Sequence, residues 1–273
     1  MQHRNIAFIG AGNMAGAIVA GLVEGGYPAG LISVCAPSAS HRDALAERYG
    51  VHSSSDNAAC AASADVVVLA VKPQLMAEVC GALRSQVDFS GKLVLSIAAG
   101  VTVERFCALL GEQLNIVRIM PNTPSLVGKG MSGLYAPAYV SQQDRDFTAA
   151  LMESVGKICW VDDEHGINQV IAAAGSAPAY FFLFMEAMQQ EMERQGFPAD
   201  KARLLVQQAA SGAAALVEAS PEVSLGTLRE RVTSKGGTTA EALKVMNEQK
   251  LPEIVARAMQ AAIARAQDME QQF

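Results

Sequence analysis

Short apolar runs rich in Val, Ile and Leu recur through residues 1–162, at 5–10, 31–35, 65–71, 92–97, 116–120 and 157–161. Between them lie stretches such as 14–24 and 40–49, in which apolar residues return every third or fourth position. Strand-length runs alternating with helix-period segments are the pattern of repeated β-α-β units, and they predict an α/β domain with a doubly wound parallel sheet. From residue 163 onward the strand-like runs stop. The remaining residues show Ala-, Leu- and Met-rich helical patterning, broken at Gly196-Phe197-Pro198, Ser220-Pro221, Lys235-Gly236-Gly237 and Leu251-Pro252. The pattern therefore predicts two domains, residues 1–162 and an all-helical 163–273.

Within the second half, 172–175 and 209–215 carry small residues on every side. A helix with no polar face has to be covered, and a bundle of about 110 residues has too little interior to cover several of them. The expectation is a dimerisation domain, with the chain forming a homodimer or a larger homo-oligomer. The uncharged stretch 170–185 is shorter than a membrane span needs and contains Gly175, Ser176 and Pro178, so it reads as a buried helix kinked or started at the proline.

A net charge of -6 lacks the clustered cations that a phosphate backbone or an anionic bilayer requires, so neither nucleic acid nor membrane is expected as a partner. The five cysteines, Cys35, Cys60, Cys80, Cys107 and Cys159, are scattered and never form C-x-x-C, which leads us to expect reduced, buried thiols and no metal site. Nothing near residue 1 reads as a leader, so a cytoplasmic location is expected.

The first strand runs directly into Gly10-Ala11-Gly12-Asn13-Met14-Ala15, a G-x-G-x-x-A turn that opens a helix. Such a turn needs glycine for its tightness and for close approach of a pyrophosphate, and a small residue where helix meets strand. The helix start then offers N–H groups and partial positive charge to phosphate oxygens. A Rossmann-type dinucleotide site is the reading. An NAD site usually has Asp or Glu at the end of the second strand, whereas here the chain continues Cys35-Ala36-Pro37-Ser38-Ala39-Ser40-His41-Arg42. Hydroxyls and a cation suit a 2′-phosphate, so NADPH is expected as the cofactor, with NADH the alternative. Ser38 and Ser40 also fit a plain helix-capping role.

Ala70-Val71-Lys72-Pro73-Gln74, Ser96-Ile97-Ala98-Ala99-Gly100 and Arg118-Ile119-Met120-Pro121-Asn122-Thr123-Pro124 each come at the end of a strand. Motifs at the carboxyl ends of parallel strands outline one crevice. Taken with Ile9-Gly10-Ala11-Gly12-Asn13-Met14, with Gly175-Ser176-Ala177-Pro178-Ala179-Tyr180 and with 232–242, they make the chain resemble the pyrroline-5-carboxylate reductase family along its whole length. The resemblance implies NAD(P)H-dependent reduction of 1-pyrroline-5-carboxylate to proline. It also implies dinucleotide contacts at residues 9–14, at Ser38 and Asn57, and at Ala70, Val71, Lys72 and Pro73. The sequence departs from the family at Ala177, where a second glycine is usual, and at Lys235 and Leu225, where proline is common.

Ser234-Lys235-Gly236-Gly237 leads into Thr238-Thr239-Ala240-Glu241, which has the form of a capping box between Thr238 and Glu241. A glycine-rich approach to a helix start makes an anion nest, suited here to a carboxylate on the N–H groups of Gly236, Gly237 and Thr238. On chemistry alone, Thr239 reads as a helix-start threonine and Glu222 as a first-turn carboxylate. The resemblance makes the Thr239 hydroxyl the catalytic partner of the substrate nitrogen and Glu222 a substrate-binding group beside it. The scattered histidines read as surface residues, and Tyr180, Phe181, Phe182 and Phe184 read as core. Two alternatives are open. A 3-hydroxyacid dehydrogenase would need a lysine where Ala179 stands four residues after Gly175. A non-catalytic NADPH-binding redox sensor would have no use for the loop around Thr239.

Overall fold

The computed structural model describes residues 3–111 and 113–273. One eight-stranded sheet is built from β1 (Ile6–Ile9), β2 (Ile32–Cys35), β3 (His52–Ser54), β4 (Val66–Leu69), β5 (Leu93–Ser96), β6 (Asn115–Met120), β7 (Gly130–Tyr135) and β8 (Gly156–Trp160), in the order β3-β2-β1-β4-β5-β6-β7-β8. β1, β4 and β5 are buried along their whole length, as central strands covered by helices on both faces must be. The covering helices are α1 (Asn13–Glu24), α2 (Ala39–Tyr49), α3 (Asn57–Ser63), α4 (Pro73–Arg84), α5 (Val103–Leu110), α6 (Gln142–Glu153) and the short α7 (Gly166–Val170). Two separate apolar cores result, one led by Phe8, Ile18 and Leu22 and the other by Ile9, Leu69 and Phe106.

The strands from β3 to β6 are parallel, but β7 runs antiparallel to β6, and β8 pairs with β7 in parallel. The expected doubly wound parallel sheet is present, with the pairing of β6 and β7 as an antiparallel exception. Only a 3₁₀ turn, Thr123–Val127, links β6 to β7, and a connection that short cannot make the crossover that a parallel pair requires. The winding reverses between β1 and β4, and the crevice at that switch point is where this class of sheet takes its ligand.

Beyond β8 every described element is helical: after α7 and a π turn (Ile171–Gly175) come α8 (Ala177–Arg194), α9 (Ala199–Glu218), α10 (Leu225–Arg231), α11 (Thr238–Glu248) and α12 (Leu251–Gln272). The chain divides into two compact units. One comprises Met1–Ser176 together with Ala261–Phe273, and the other is Ala177–Gln260. α12 thus starts in one and ends in the other.

In the single chain, α8 exposes Phe181 (69%), Phe182 (60%) and Leu183 (66%), and the small-residue stretch of α9 is exposed as well. The reading of Phe181, Phe182 and Phe184 as core is therefore wrong for one chain by itself. The helical run Gly166–Arg194 is 29 residues, long and apolar enough by length and composition to cross a membrane, and little of it is buried within the chain. Pro178 lies in the first turn of α8, where a missing N–H costs nothing, as expected of a helix started at the proline; the expectation that this helix is buried does not hold for the single chain.

Candidate active site

Gly10 sits at φ +114, and a β-carbon there would come 2.5 Å from the carbonyl oxygen of Ala70. Its N–H donates to the Cys35 carbonyl at 2.7 Å, while the Ala70 N–H donates to Ile9 at 2.8 Å. The absence of a side chain thus lets the first turn wedge between the ends of β2 and β4, at the sheet edge where Ser38 follows β2 and Ala70 to Pro73 follow β4. Ile9, the last residue of β1, is fully buried. Gly12 is the N-cap of α1, with no side chain capping it and nothing within 4 Å of where its β-carbon would point. That open space, facing the unpaired N–H groups of the first turn of α1, is the cradle a pyrophosphate needs.

Ser38 holds the N-cap position of α2, yet its hydroxyl does not cap; it bonds Ser40 at 3.1 Å, and both are exposed. Arg42 is less free than the sequence suggests. Its Nη1 donates to the carbonyls of Ala36 at 2.6 Å and Pro37 at 3.0 Å, so it stiffens the loop from below. Asn57 opens α3, whose N-cap Asp56 accepts from the Ala59 N–H at 2.9 Å. The Oδ1 of Asn57 is buried without a hydrogen-bond partner, next to a cavity of 340 Å³ between α3 and α4. An orphaned buried acceptor beside a cavity is a group waiting for a donor. Lys72 caps α4 and is exposed, with Pro73 at the first helical position. A groove of 550 Å³ runs along α1 and meets these residues at Ala11, Gly12 and Asn13.

Cys35 and Cys60 are paired as a disulfide between the end of β2 and α3, correcting the expectation that all five thiols are reduced. Their 25-residue separation gives no signal in sequence; it is the packing of α3 beside β2 that joins them.

Glu222 and residues 234–241, expected to meet the substrate, lie in the unit Ala177–Gln260. Gly236 is left-handed at φ +71, and Gly237, not Thr238, is the N-cap of α11. The capping box is therefore absent: an extended glycine already occupies the cap, which makes Thr238 and Thr239 the first two helical residues. The anion-nest reading loses nothing by this, because the N–H groups of a first turn have no partner within the helix. Thr239 is half-buried, and Thr238 and Gly236 are exposed. Glu222 lies in the turn between α9 and α10 and is exposed, so it is not a first-turn carboxylate. At α10, where family members often have proline, Leu225 comes after Ser224, whose hydroxyl caps the helix by accepting from the Thr227 N–H at 3.1 Å.

Comparison with known proteins bears on this arrangement. Residues 164–269 match the family described as pyrroline-5-carboxylate reductase dimerisation, and residues 5–100 match one described as NADP oxidoreductase, coenzyme F420-dependent. A pyrroline-5-carboxylate reductase of Vibrio alginolyticus is 61% identical over 273 residues, covering all of both chains. The chain belongs to the pyrroline-5-carboxylate reductase family. The solved structure of a pyrroline-5-carboxylate reductase from Coxiella burnetii superposes with a TM-score of 0.92 at 42% identity, covering 98% of this chain and 99% of that one. A Plasmodium falciparum pyrroline carboxylate reductase, solved with NADP bound, does so with 0.87 at 26% identity, covering 99% of each.

This family member also carries a cluster that sequence reasoning misses. Arg118, buried in the middle of β6, places Nη1 at 2.7 Å from Glu164 and 3.1 Å from Glu270. Glu164 also accepts from the Val103 N–H at the start of α5, and Glu270 accepts from the buried Asn168 side chain at 3.0 Å. Burial, ahead of the charges of Glu164 and Asp163, pushes the neighbouring Tyr135 phenol up. The available signal was an arginine inside an otherwise apolar strand, since such a charge has to be paired.

Proposed function

We propose that this chain reduces 1-pyrroline-5-carboxylate to L-proline with NADPH, the last step of proline biosynthesis. The reading is carried by the full-length match at 61% identity to a relative bearing that enzyme's name. It is supported by a Gly12 cradle and an Asn57 acceptor that suit a dinucleotide, and by a glycine turn at the start of α11 that suits a carboxylate.

In this reading the α1 turn from Gly10 to Met14 binds the pyrophosphate through backbone N–H groups, and Asn57 and residues 70–73 hold the flanking ribose and ring. NAD(P)H, when bound, supplies the hydride. Ser38 and Ser40 donate to the 2′-phosphate, and no carboxylate at the end of β2 opposes it, which favours NADPH over NADH. The N–H groups of Gly236, Gly237 and Thr238 anchor the substrate carboxylate, turning binding into orientation. The Thr239 hydroxyl hydrogen-bonds the ring nitrogen, and Glu222 favours positive charge there. A hydroxyl suffices because the cyclic imine takes its proton from water before hydride adds, which leaves the protein chiefly positioning work.

The test is NADPH oxidation with pyrroline-5-carboxylate, with 3-hydroxyacids as controls, in the native enzyme and in Thr239→Ala. Turnover of the imine alone is expected. The variant should lose roughly ten- to a hundredfold in kcat and keep its nucleotide affinity. Unchanged kcat in Thr239→Ala would remove the proposed role, and turnover of the hydroxyacids instead would overturn the function. A preference between NADPH and NADH of about twofold or less would remove the part given to Ser38.

Self-association through the helical half belongs to the same proposal. Burying a side chain of the size of Phe182 or Leu183 contributes about 1.5–3 kcal/mol, so a face carrying several is most stable against a second copy of itself.

A further inference from the structure

The last five residues make contacts out of proportion to their position. Met269 packs on Gly100, where a β-carbon would come 2.7 Å from the Met269 Cβ. Glu270 holds Arg118 on β6 and Asn168 on α7. The backbone carbonyl of Phe273 accepts from Arg105 Nε on α5, and the Phe273 ring packs against the core that contains Val101 and Phe106. All of these groups belong to the compact unit that contains the crevice. Gly100 closes the loop that leaves β5, and Arg118 lies two residues before Met120-Pro121-Asn122, which leave β6. The tail therefore grips the segments that leave β5 and β6.

We propose that Met269 and Glu270 are positioning residues for hydride transfer: they fix the loops 97–100 and 119–122, which form the half of the crevice away from the phosphate-binding turn. The inference rests on the proposed reductase function. Arg118 gives the device its stiffness. Buried in the sheet, it finds partners only through Nη1 among the described residues, and Glu270 is one of the two carboxylates that answer its charge. Without Glu270 a buried cation keeps one partner instead of two, and the end of β6 is free to shift. A displacement on the order of 1 Å in a reacting geometry can cost as much as about a hundredfold in rate while leaving distant binding contacts intact.

The experiment compares the native full chain with Glu270→Gln, which keeps the shape and removes the charge. It also uses Met269→Ala, which leaves the ion cluster untouched and loosens only the contact on Gly100. Three quantities are read: kcat and KM for pyrroline-5-carboxylate, NADPH affinity by nucleotide fluorescence, and hydrogen exchange at 97–100 and 119–122. For Glu270→Gln we expect kcat to fall on the order of tenfold, NADPH affinity to stay within about twofold, and exchange in both loops to quicken. Met269→Ala should show the same pattern, smaller and confined to 97–100. A folded Glu270→Gln protein with native kcat and native exchange overturns the inference, as does a loss of kcat that merely tracks the folded fraction. Should the native chain itself fail to turn over the imine, the proposed function falls, and the exchange measurement still decides whether the tail holds the two loops.

Discussion

Asp144 shows how much one side chain does in this fold. It accepts from Asn115 at 2.9 Å and Ser141 at 2.8 Å and pairs with Arg4 at 2.5 Å, tying the segment before β1 to α6 and β6. Burial works against its charge, but the bonds from Arg4, Asn115 and Ser141 outweigh it and hold the carboxyl below its ordinary value. A depressed carboxyl stabilises the fold at any pH above its unfolded value and loses that contribution as the pH falls through the folded one. Asp144→Asn should therefore cost about 1–2 kcal/mol in urea unfolding at about pH 7, with the gap to the native protein closing as the solution is acidified below about pH 4. A gap that stays constant would assign the loss to shape instead of charge. The cysteines give a second prediction at this scale. With Cys35 and Cys60 paired, thiol titration of the denatured, unreduced protein should count three groups. In the native state Cys80 should stay inert, because burial pushes its thiol up to about 12. Titration of all the cysteines would refute the pairing.

Among the elements, the β1-turn-α1 unit was open to reading in the sequence because each requirement falls on a residue type. Gly10 must lack a side chain beside Ala70, Gly12 must leave room in front of the helix, and Ala15 must fit the core. Those requirements separate two variants. Gly10→Ala meets backbone at 2.5 Å in a left-handed conformation and should destabilise the fold by a few kcal/mol, seen as a lower midpoint in thermal unfolding. At Gly12 an added β-carbon meets nothing within 4 Å, so Gly12→Val should fold while losing at least about tenfold in NADPH affinity by fluorescence titration. Native affinity in Gly12→Val would place the pyrophosphate elsewhere. Other elements are hidden from sequence for physical reasons. β3 is His-Ser-Ser and β7 is interrupted by Gly133, so neither shows an apolar run, and each is held by pairing with its neighbours. The spacing of Thr238 and Glu241 imitates a capping box, and it shifts the expected start of α11 by one residue. The cap itself falls on Gly237, which has the extended conformation that position requires. Ion clusters such as Arg118 with Glu164 and Glu270 span separations of 46 and 152 residues, which no local pattern can disclose.

For the whole molecule, the two-part plan is legible in the loss of strand patterning after residue 163, and the need for self-association in helices with no polar side. The exposed aromatic run on α8 gives that need a location. Phe182→Glu should shift the particle to a smaller species in light scattering, since a desolvated carboxylate costs several kcal/mol in an apolar contact, while an exposed position tolerates it in the separated chain. An unchanged size would put the interface elsewhere. Neither pattern nor composition foreshadows that the nucleotide-binding unit ends with Ala261–Phe273, after the whole of Ala177–Gln260 has intervened. A ribosome delivers the chain from its N-terminus, so the sheet emerges long before the residues that complete its compact unit. The nascent sheet must therefore wait, with Arg118 short of one carboxylate, until residues 261–273 have emerged, so the first-made half of the chain is finished only by a segment made long after it.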